Sequence, residues 1–268
     1  MLDMAKLGVE ASCLLEGGVT SLSTTPFGTR VYAGTAAGNT YSLDAATLAP
    51  ELRSTAHPSP VTDISFPRAS SELFVTAAGS DIRLWNAYSR QELLRIQVPN
   101  LVCNCVQVAP DGASIISGWS DGKIRSFLPE SGKLKFVITD AHAESVTAIA
   151  CTSDSRKIVS GGKDGRVRMW DISGQTQTME LSFKEHKSEC RSAAQPPRPL
   201  PFTPSSAVPL PVCWFPEAVC YIALSQDDEE CLSAAEDGSC IVWNLRRGVR
   251  SNALFASTMF RYGIAASL

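Results

Sequence analysis

Val146-Thr-Ala-Ile-Ala-Cys151, then Lys157-Ile-Val-Ser-Gly161, then Asp164-Gly165, then Arg166-Val-Arg-Met-Trp-Asp171 read as strand, strand, tight turn, strand. Alternating β-branched and polar residues favour half-buried strands over helix, and Asp-Gly is a turn signal between such runs. The same order precedes it twice. Cys105 to Ala109, Ser114 to Gly118, Asp121-Gly122 and Lys123 to Phe127 form one copy; Ile64 to Phe66, Leu73 to Ala77 and Asp81 to Asn86 form another. Fourth strands are expected at Glu92 to Gln97, Leu134 to Thr139 and Thr178 to Phe183. The weakest copy holds Val19 to Ser23, Arg30 to Gly34 and Thr40 to Asp44.

The residues closing the third strands, Leu43, Trp85, Phe127, Trp170 and Trp243, follow at steps of 42, 42, 43 and 73. A period of about 40 to 45 residues marks a propeller built of four-stranded blades. The expected fold is therefore all-β: an incomplete β-propeller of about four to five blades, each a four-stranded antiparallel sheet, over residues 11–268.

The 73-residue step resolves when His142-Ala-Glu-Ser-Val-Thr-Ala-Ile-Ala-Cys-Thr is laid over the next copy. That copy begins His186-Lys-Ser-Glu189, loses the pattern, and resumes at Val219-Cys-Tyr-Ile-Ala-Leu-Ser225. Removing Cys190 to Ala218, 29 residues, shortens the step to 44. The excised stretch holds eight of the 16 prolines and no glycine, so it suits neither a ladder strand nor an amphipathic helix. Residues 190–218 are expected to be a disordered Pro-rich insertion. Its place at the entry to an inner strand, where insertions break core pairing, favours retained intron sequence. The alternative is a partner-binding loop in which Pro196-Pro-Arg-Pro-Leu-Pro-Phe202 docks as a polyproline II ligand.

With the insertion set aside, all three histidines, His57, His142 and His186, stand 28 residues before Trp85, Trp170 and Trp243. The pattern resembles the WD-repeat family, whose blades carry a His, a Ser or Thr on the second strand, an Asp in the next turn and a Trp on the third strand. One blade supplies His142, Ser160, Asp164 and Trp170, and another His186, Ser233, Asp237 and Trp243. The Phe127 blade keeps Ser117 and Asp121 but has Pro99 at the His position, and the Trp85 blade has a turn one residue short. Ser, His and Asp together also suggest a hydrolase triad. A triad is built once, however, whereas these types recur at matching positions, as a buried network that fixes strand spacing would. No catalytic residue, cofactor site or metal site is expected.

Composition narrows the partners. The 24 Lys+Arg against 27 Asp+Glu give a net charge of −3 without a basic block, which argues against nucleic acid. No apolar run reaches the roughly 18 residues that span a bilayer, and the first residues lack the pattern of a secretory leader, so no membrane partner is expected. Nine cysteines include Cys103-x-Cys105 but no C-x-x-C pair, and read as reduced, intracellular and mostly core. Arg246, Arg247 and Arg250 form a basic cluster after Trp243, a candidate partner contact whose bland reading is a solvated blade edge. Trp119 breaks the small-residue preference after Ser117-Gly118 and is a candidate either for an exposed anchor or for packing between blades.

More specific runs extend the resemblance: Phe66-Pro-Arg-Ala-Ser-Ser-Glu-Leu-Phe74, Gln91-Glu-Leu-Leu-Arg-Ile-Gln-Val-Pro-Asn100, Ile115-Ile-Ser-Gly-Trp-Ser-Asp-Gly-Lys-Ile-Arg125, Pro129-Glu-Ser-Gly-Lys133 and Asn252-Ala-Leu-Phe-Ala-Ser-Thr-Met-Phe260. Together they resemble the cilia- and flagella-associated protein fifty-two family of axonemal WD-repeat proteins. The resemblance implies a non-enzymatic component of motile cilia, on the inner wall of the doublet microtubule, contacting tubulin and neighbouring inner proteins. It also implies that the chain is an internal part of the second of two tandem propellers. The alternative is a general cytoplasmic WD-repeat scaffold or substrate adaptor.

Overall fold

The computed structural model describes residues 12–68, 70–184 and 218–255, with side chains to Ala253. Blade 1 contains β1 (Val19–Thr24), β2 (Arg30–Thr35), β3 (Thr40–Asp44) and β4 (Pro50–Ser54). Blade 2 contains β5 (Val61–Ser65), β6 (Leu73–Ala78), β7 (Asp81–Asn86) and β8 (Glu92–Gln97). In blade 3 the strands are β9 (Cys103–Val108), β10 (Ile115–Trp119), β11 (Ile124–Phe127) and β12 (Leu134–Ile138). Blade 4 is β13 (Val146–Cys151), β14 (Lys157–Gly162), β15 (Val167–Asp171) and β16 (Thr178–Phe183). Blade 5 is β17 (Val219–Leu224), β18 (Glu230–Ala235), β19 (Ser239–Asn244) and β20 (Val249–Phe255).

Each blade is a meander of four antiparallel strands in chain order, and the five form a β-propeller, as the 42-residue period predicts. Many strand ends differ from expectation by one residue, and two first strands start earlier by more. The first strand of blade 2 begins at Val61 rather than Ile64, and that of blade 3 at Cys103 rather than Cys105. Both shifts add one bulged turn of strand whose purpose becomes clear below. Among the described residues no helix is long and apolar enough to cross a membrane.

The first strands line up side by side, β1 against β5, β5 against β9, β9 against β13 and β13 against β17. Between blades the facing sheets share apolar cores. Val75, Ile82 and Leu84 of blade 2 pack with Val106, Ile115 and Phe127 of blade 3, and Val159 and Met169 of blade 4 pack with Ile222 and Trp243 of blade 5. Burial of this size is the dominant stabilising term for such a stack. The residue opening each first strand, 24 before the strand-three marker, is fully buried in four blades: Val61, Cys103, Val146 and Val219. In blade 1 the equivalent Val19 is 43% exposed and Leu22 is 62% exposed, because no described blade lies on that side.

Candidate functional site

Blade 4 holds the complete polar network. His142 Nδ1 lies 2.8 Å from Asp164 Oδ1 and His142 Nε2 lies 2.9 Å from Ser160 Oγ, while Trp170 Nε1 donates to the same Ser160 Oγ at 3.1 Å. In the tautomer that donates Nδ1–H to the carboxylate, Nε2 is an acceptor, and Ser160 donates its hydroxyl to the ring and accepts from the indole. Asp164 also accepts from the Ala143 amide. Burial works against its ionisation, but the hydrogen bond from His142 holds its carboxyl down at about 2. Ser160 is fully buried and its oxygen is engaged on both sides, so no acyl donor reaches it as one would reach a triad serine.

Blade 2 keeps half of this. His57 Nε2 lies 2.7 Å from Thr76 Oγ1, and Trp85 Nε1 donates to Thr76 at 2.8 Å. The short turn carries Asp81 onto β7, where it accepts from Arg95 at 2.6 Å, Gln97 at 2.9 Å and Arg83 at 3.3 Å. His57 Nδ1 is left buried without a partner among the described residues. Burial, then the Arg83 charge, pushes the His57 imidazole down to about 4.

Blade 3 corrects the surface-anchor reading of Trp119, which is fully buried. Its indole donates to Ser117 Oγ at 2.8 Å, and Arg125 stacks over its ring while pairing with Asp121 at 2.7 Å. The sister position in blade 4 is Gly162, where an added Cβ would sit 2.2 Å from His142 Nδ1. With Pro99 in place of the histidine, that slot stands open in blade 3, and Trp119 fills it and takes the serine.

Blade 5 shows Trp243 Nε1 donating to Ser233 Oγ at 2.7 Å, and Asp237 accepting from the Ser239 amide at 2.8 Å. His186 lies outside the described residues, as do residues 190–217 of the insertion. Ala218, the last residue of that stretch, is buried and accepts from the Glu236 amide at 3.0 Å. Blade 1 replaces the network with hydrocarbon. Leu15, Ala33 and Leu43 occupy the His, Ser and Trp positions and pack together. Replacing every polar partner at once leaves nothing unsatisfied, which is why the loss is tolerated.

A second system, missed from the sequence, joins the blades. In each first strand one residue is bulged, lying between the paired residues Val19 and Ser21, Val61 and Asp63, Cys103 and Cys105, Val146 and Ala148, or Val219 and Tyr221. A bulge re-aims a side chain. Thr20 thereby shares its hydroxyl hydrogen between Gly34 O at 3.1 Å and Val61 O of the next blade at 2.6 Å. Thr62 does the same with Ala77 O at 3.1 Å and Cys103 O at 2.7 Å, and Asn104 donates to Val146 O at 2.8 Å. Thr147 reaches Gly161 O at 3.1 Å and Val219 O of blade 5. The signal was available: these residues all stand 23 before the strand-three marker, but threonine in a strand is ordinary and attracts no notice. Thr147→Val, isosteric but without the donor, is expected to lower stability by about 1–2 kcal/mol in urea unfolding.

Inner-edge amides are also capped from the preceding blade. Asp63 accepts from Ile64 N and Val106 N, each at 2.8 Å, Ser65 from Val108 N at 3.2 Å, and Gln107 from Cys151 N at 2.7 Å. These contacts satisfy groups that an open strand edge would leave bare. Burial pushes the Asp63 carboxyl up to about 7 despite its two amide donors. Of the described cysteines, Cys103, Cys105, Cys151 and Cys231 are buried, Cys13 and Cys240 are half-buried and Cys220 is exposed; none is in a disulfide. Among the described residues no group of His, Cys, Asp and Glu is placed to hold a metal ion.

The Arg246 side chain is 75% exposed and pairs with Glu229 at 2.8 Å. Arg247 and Arg250 are exposed on the same turn and the following strand.

Five serial blades and a His–Ser–Asp–Trp network repeated in part define a WD-repeat propeller. A family model described as WDR54 matches residues 19–215, and one described as WD domain, G-beta repeat matches residues 213–244. The chain belongs to the WDR54 family of WD-repeat proteins. It is 40% identical over 247 residues to mouse cilia- and flagella-associated protein 52, covering 92% of this chain and 35% of that protein. The Chlamydomonas reinhardtii protein of the same name is 40% identical over 261 residues, covering 96% of this chain and 38% of that one. Autophagy-related protein 16 of Arabidopsis thaliana is 23% identical over 233 residues, covering 87% and 40%. The chain thus spans little more than a third of the curated relatives it matches.

Proposed function

We propose that this chain is a non-enzymatic structural and interaction protein of motile cilia and flagella, localised to the axoneme. It contacts doublet-microtubule tubulin and neighbouring inner proteins and supports axoneme stability and motility. The observation that carries the reading is 40% identity to cilia- and flagella-associated proteins over 92% and 96% of the chain. The site geometry agrees with it: the one Ser–His–Asp set complete among the described residues is buried and spent on holding strands together. What remains for function is the surface, which suits a rigid blade scaffold presenting turns to large partners. Arg246, Arg247 and Arg250 supply a contact for the acidic face of tubulin, and the His–Ser–Asp–Trp sets serve as blade supports.

Residues 190–218 are absent from the working protein, on the reading that they are retained intron sequence. Tryptic mass spectrometry of detergent-extracted, salt-washed axonemes tests both points. The expected result is this protein in the salt-resistant doublet fraction, with a peptide running from Ser188-Glu189 directly into Val219. Recovery in the soluble fraction alone overturns the ciliary reading, and peptides from within Ser192 to Ala218 overturn the intron.

A further inference from the structure

Three arginines converge on a single carboxylate at the outer edge between blades 1 and 2. Glu51 of β4 is paired with Arg30 of β2 at 3.3 Å, with Arg53 of its own strand at 2.9 Å, and with Arg90 from the β7–β8 turn of the next blade. Arg30 also reaches Ser42 Oγ at 3.0 Å, and Arg53 lies over the Tyr32 ring with its Nε buried and unpartnered among the described residues. Arg30 also acts on Asp44, whose carboxylate already accepts the amides of Ala46 and Thr47. Three positive charges thus meet two negative ones, and each guanidinium keeps donors in reserve for a second planar acceptor.

Arg90 carries a second, independent observation. It has φ +62°, in the left-handed region, five residues after Trp85. At the matching turn positions blades 3 and 5 use glycine, Gly132 at φ +67° and Gly248 at φ +63°, while blade 1 has Leu48 at φ +53°. A Cβ there is disfavoured, so glycine at position 90 would be less strained than arginine. Exposed apolar neighbours flank it: Tyr88, 71% exposed, in the same turn, and Leu52, 46% exposed, beside Glu51.

We propose that Arg30, Arg53 and Arg90 form a docking site for an acidic polypeptide segment, whose carboxylates join or displace Glu51 in the arginine cluster. Glu51 is the built-in occupant that shows the site's preference, and charge-assisted guanidinium–carboxylate pairs give the geometry its specificity. The site does not depend on the ciliary reading, since it is a property of the purified chain.

The test is fluorescence anisotropy with a labelled deca-glutamate peptide against the full chain at low salt. Arg90→Gln is expected to weaken binding about three- to fivefold, and Glu51→Gln, which frees the trio, to tighten it by a similar factor. Arg90→Gly should melt within about 2 °C of wild type or above it while binding as weakly as Arg90→Gln, which separates docking from folding. A Lys133→Gln, Lys135→Gln double variant, both exposed on blade 3, should bind like wild type. If Glu51→Gln and Arg90→Gln both weaken binding, or neither changes it, the cluster is only a latch between blades and the proposal fails. It fails equally if a phosphoserine peptide binds and deca-glutamate does not.

Discussion

Ser160→Ala is expected to lower the free energy of unfolding by about 3 kcal/mol, measured in urea with an unchanged m-value. The hydroxyl is the junction of blade 4, donating to His142 Nε2 and accepting from Trp170 Nε1. Its removal leaves a buried imidazole nitrogen and a buried indole N–H without partners, each costing about 1–3 kcal/mol. Neither can turn toward water, because His142, Ser160 and Trp170 are all buried. The same change in blade 3, Ser117→Ala, strands only the Trp119 indole and should cost about half as much. Equal losses in the two blades would show that the network contributes through something other than hydrogen-bond satisfaction.

Asp63→Asn is expected to change the pH dependence of stability between pH 5 and pH 8. The folded-state carboxyl titrates at about 7 against an ordinary value of 3.8, so the folded chain holds its proton where the unfolded chain has released it. Stability from this group is therefore lost as pH rises from about 4 to about 7, amounting to about 3 kcal/mol between pH 5 and pH 8. His57 acts in the opposite sense. Its folded value of about 4 lies below the ordinary 6.5, so stability is lost as pH falls through 6.5, by about 2 kcal/mol at pH 5. The two slopes nearly cancel in the wild type, and Asp63→Asn uncovers the His57 slope: stability should climb from pH 5 to pH 8. Chemical denaturation at the two pH values checks this, and parallel profiles for both proteins would place the Asp63 carboxyl at an ordinary value.

The period was legible because each strand-three marker is large and apolar and each turn carries Gly or Asp, features that depend only on local geometry. Even the blade without any network residue could be placed, since Leu15, Ala33 and Leu43 keep the spacing after the polar types have gone. What could not be read was the outcome of vacancies. Trp119 looks like a surface residue until one sees that Pro99, twenty positions earlier, leaves the histidine slot empty. Likewise the one-residue deletion before Asp81 was visible, but its effect was not: it hands the carboxylate to Arg95 and Gln97 and leaves His57 Nδ1 bare. Both outcomes turn on three-dimensional neighbours. The bulged threonines were hidden for a different reason, since their partners are backbone carbonyls and any residue type supplies those.

The bulge contacts all point one way. Thr20, Thr62 and Asn104 reach carbonyls 41, 41 and 42 residues further along the chain, and Thr147 one that is 72 residues on. A ribosome adding about 5–20 residues per second therefore delivers each acceptor only some seconds after its donor. Every newly made blade is incomplete on emergence and is finished by its successor, so assembly proceeds vectorially with translation and never has to wait for an earlier segment to return. Without residues 190–218 the Thr147 step shortens from 72 residues to 43, the same wait as at the other junctions.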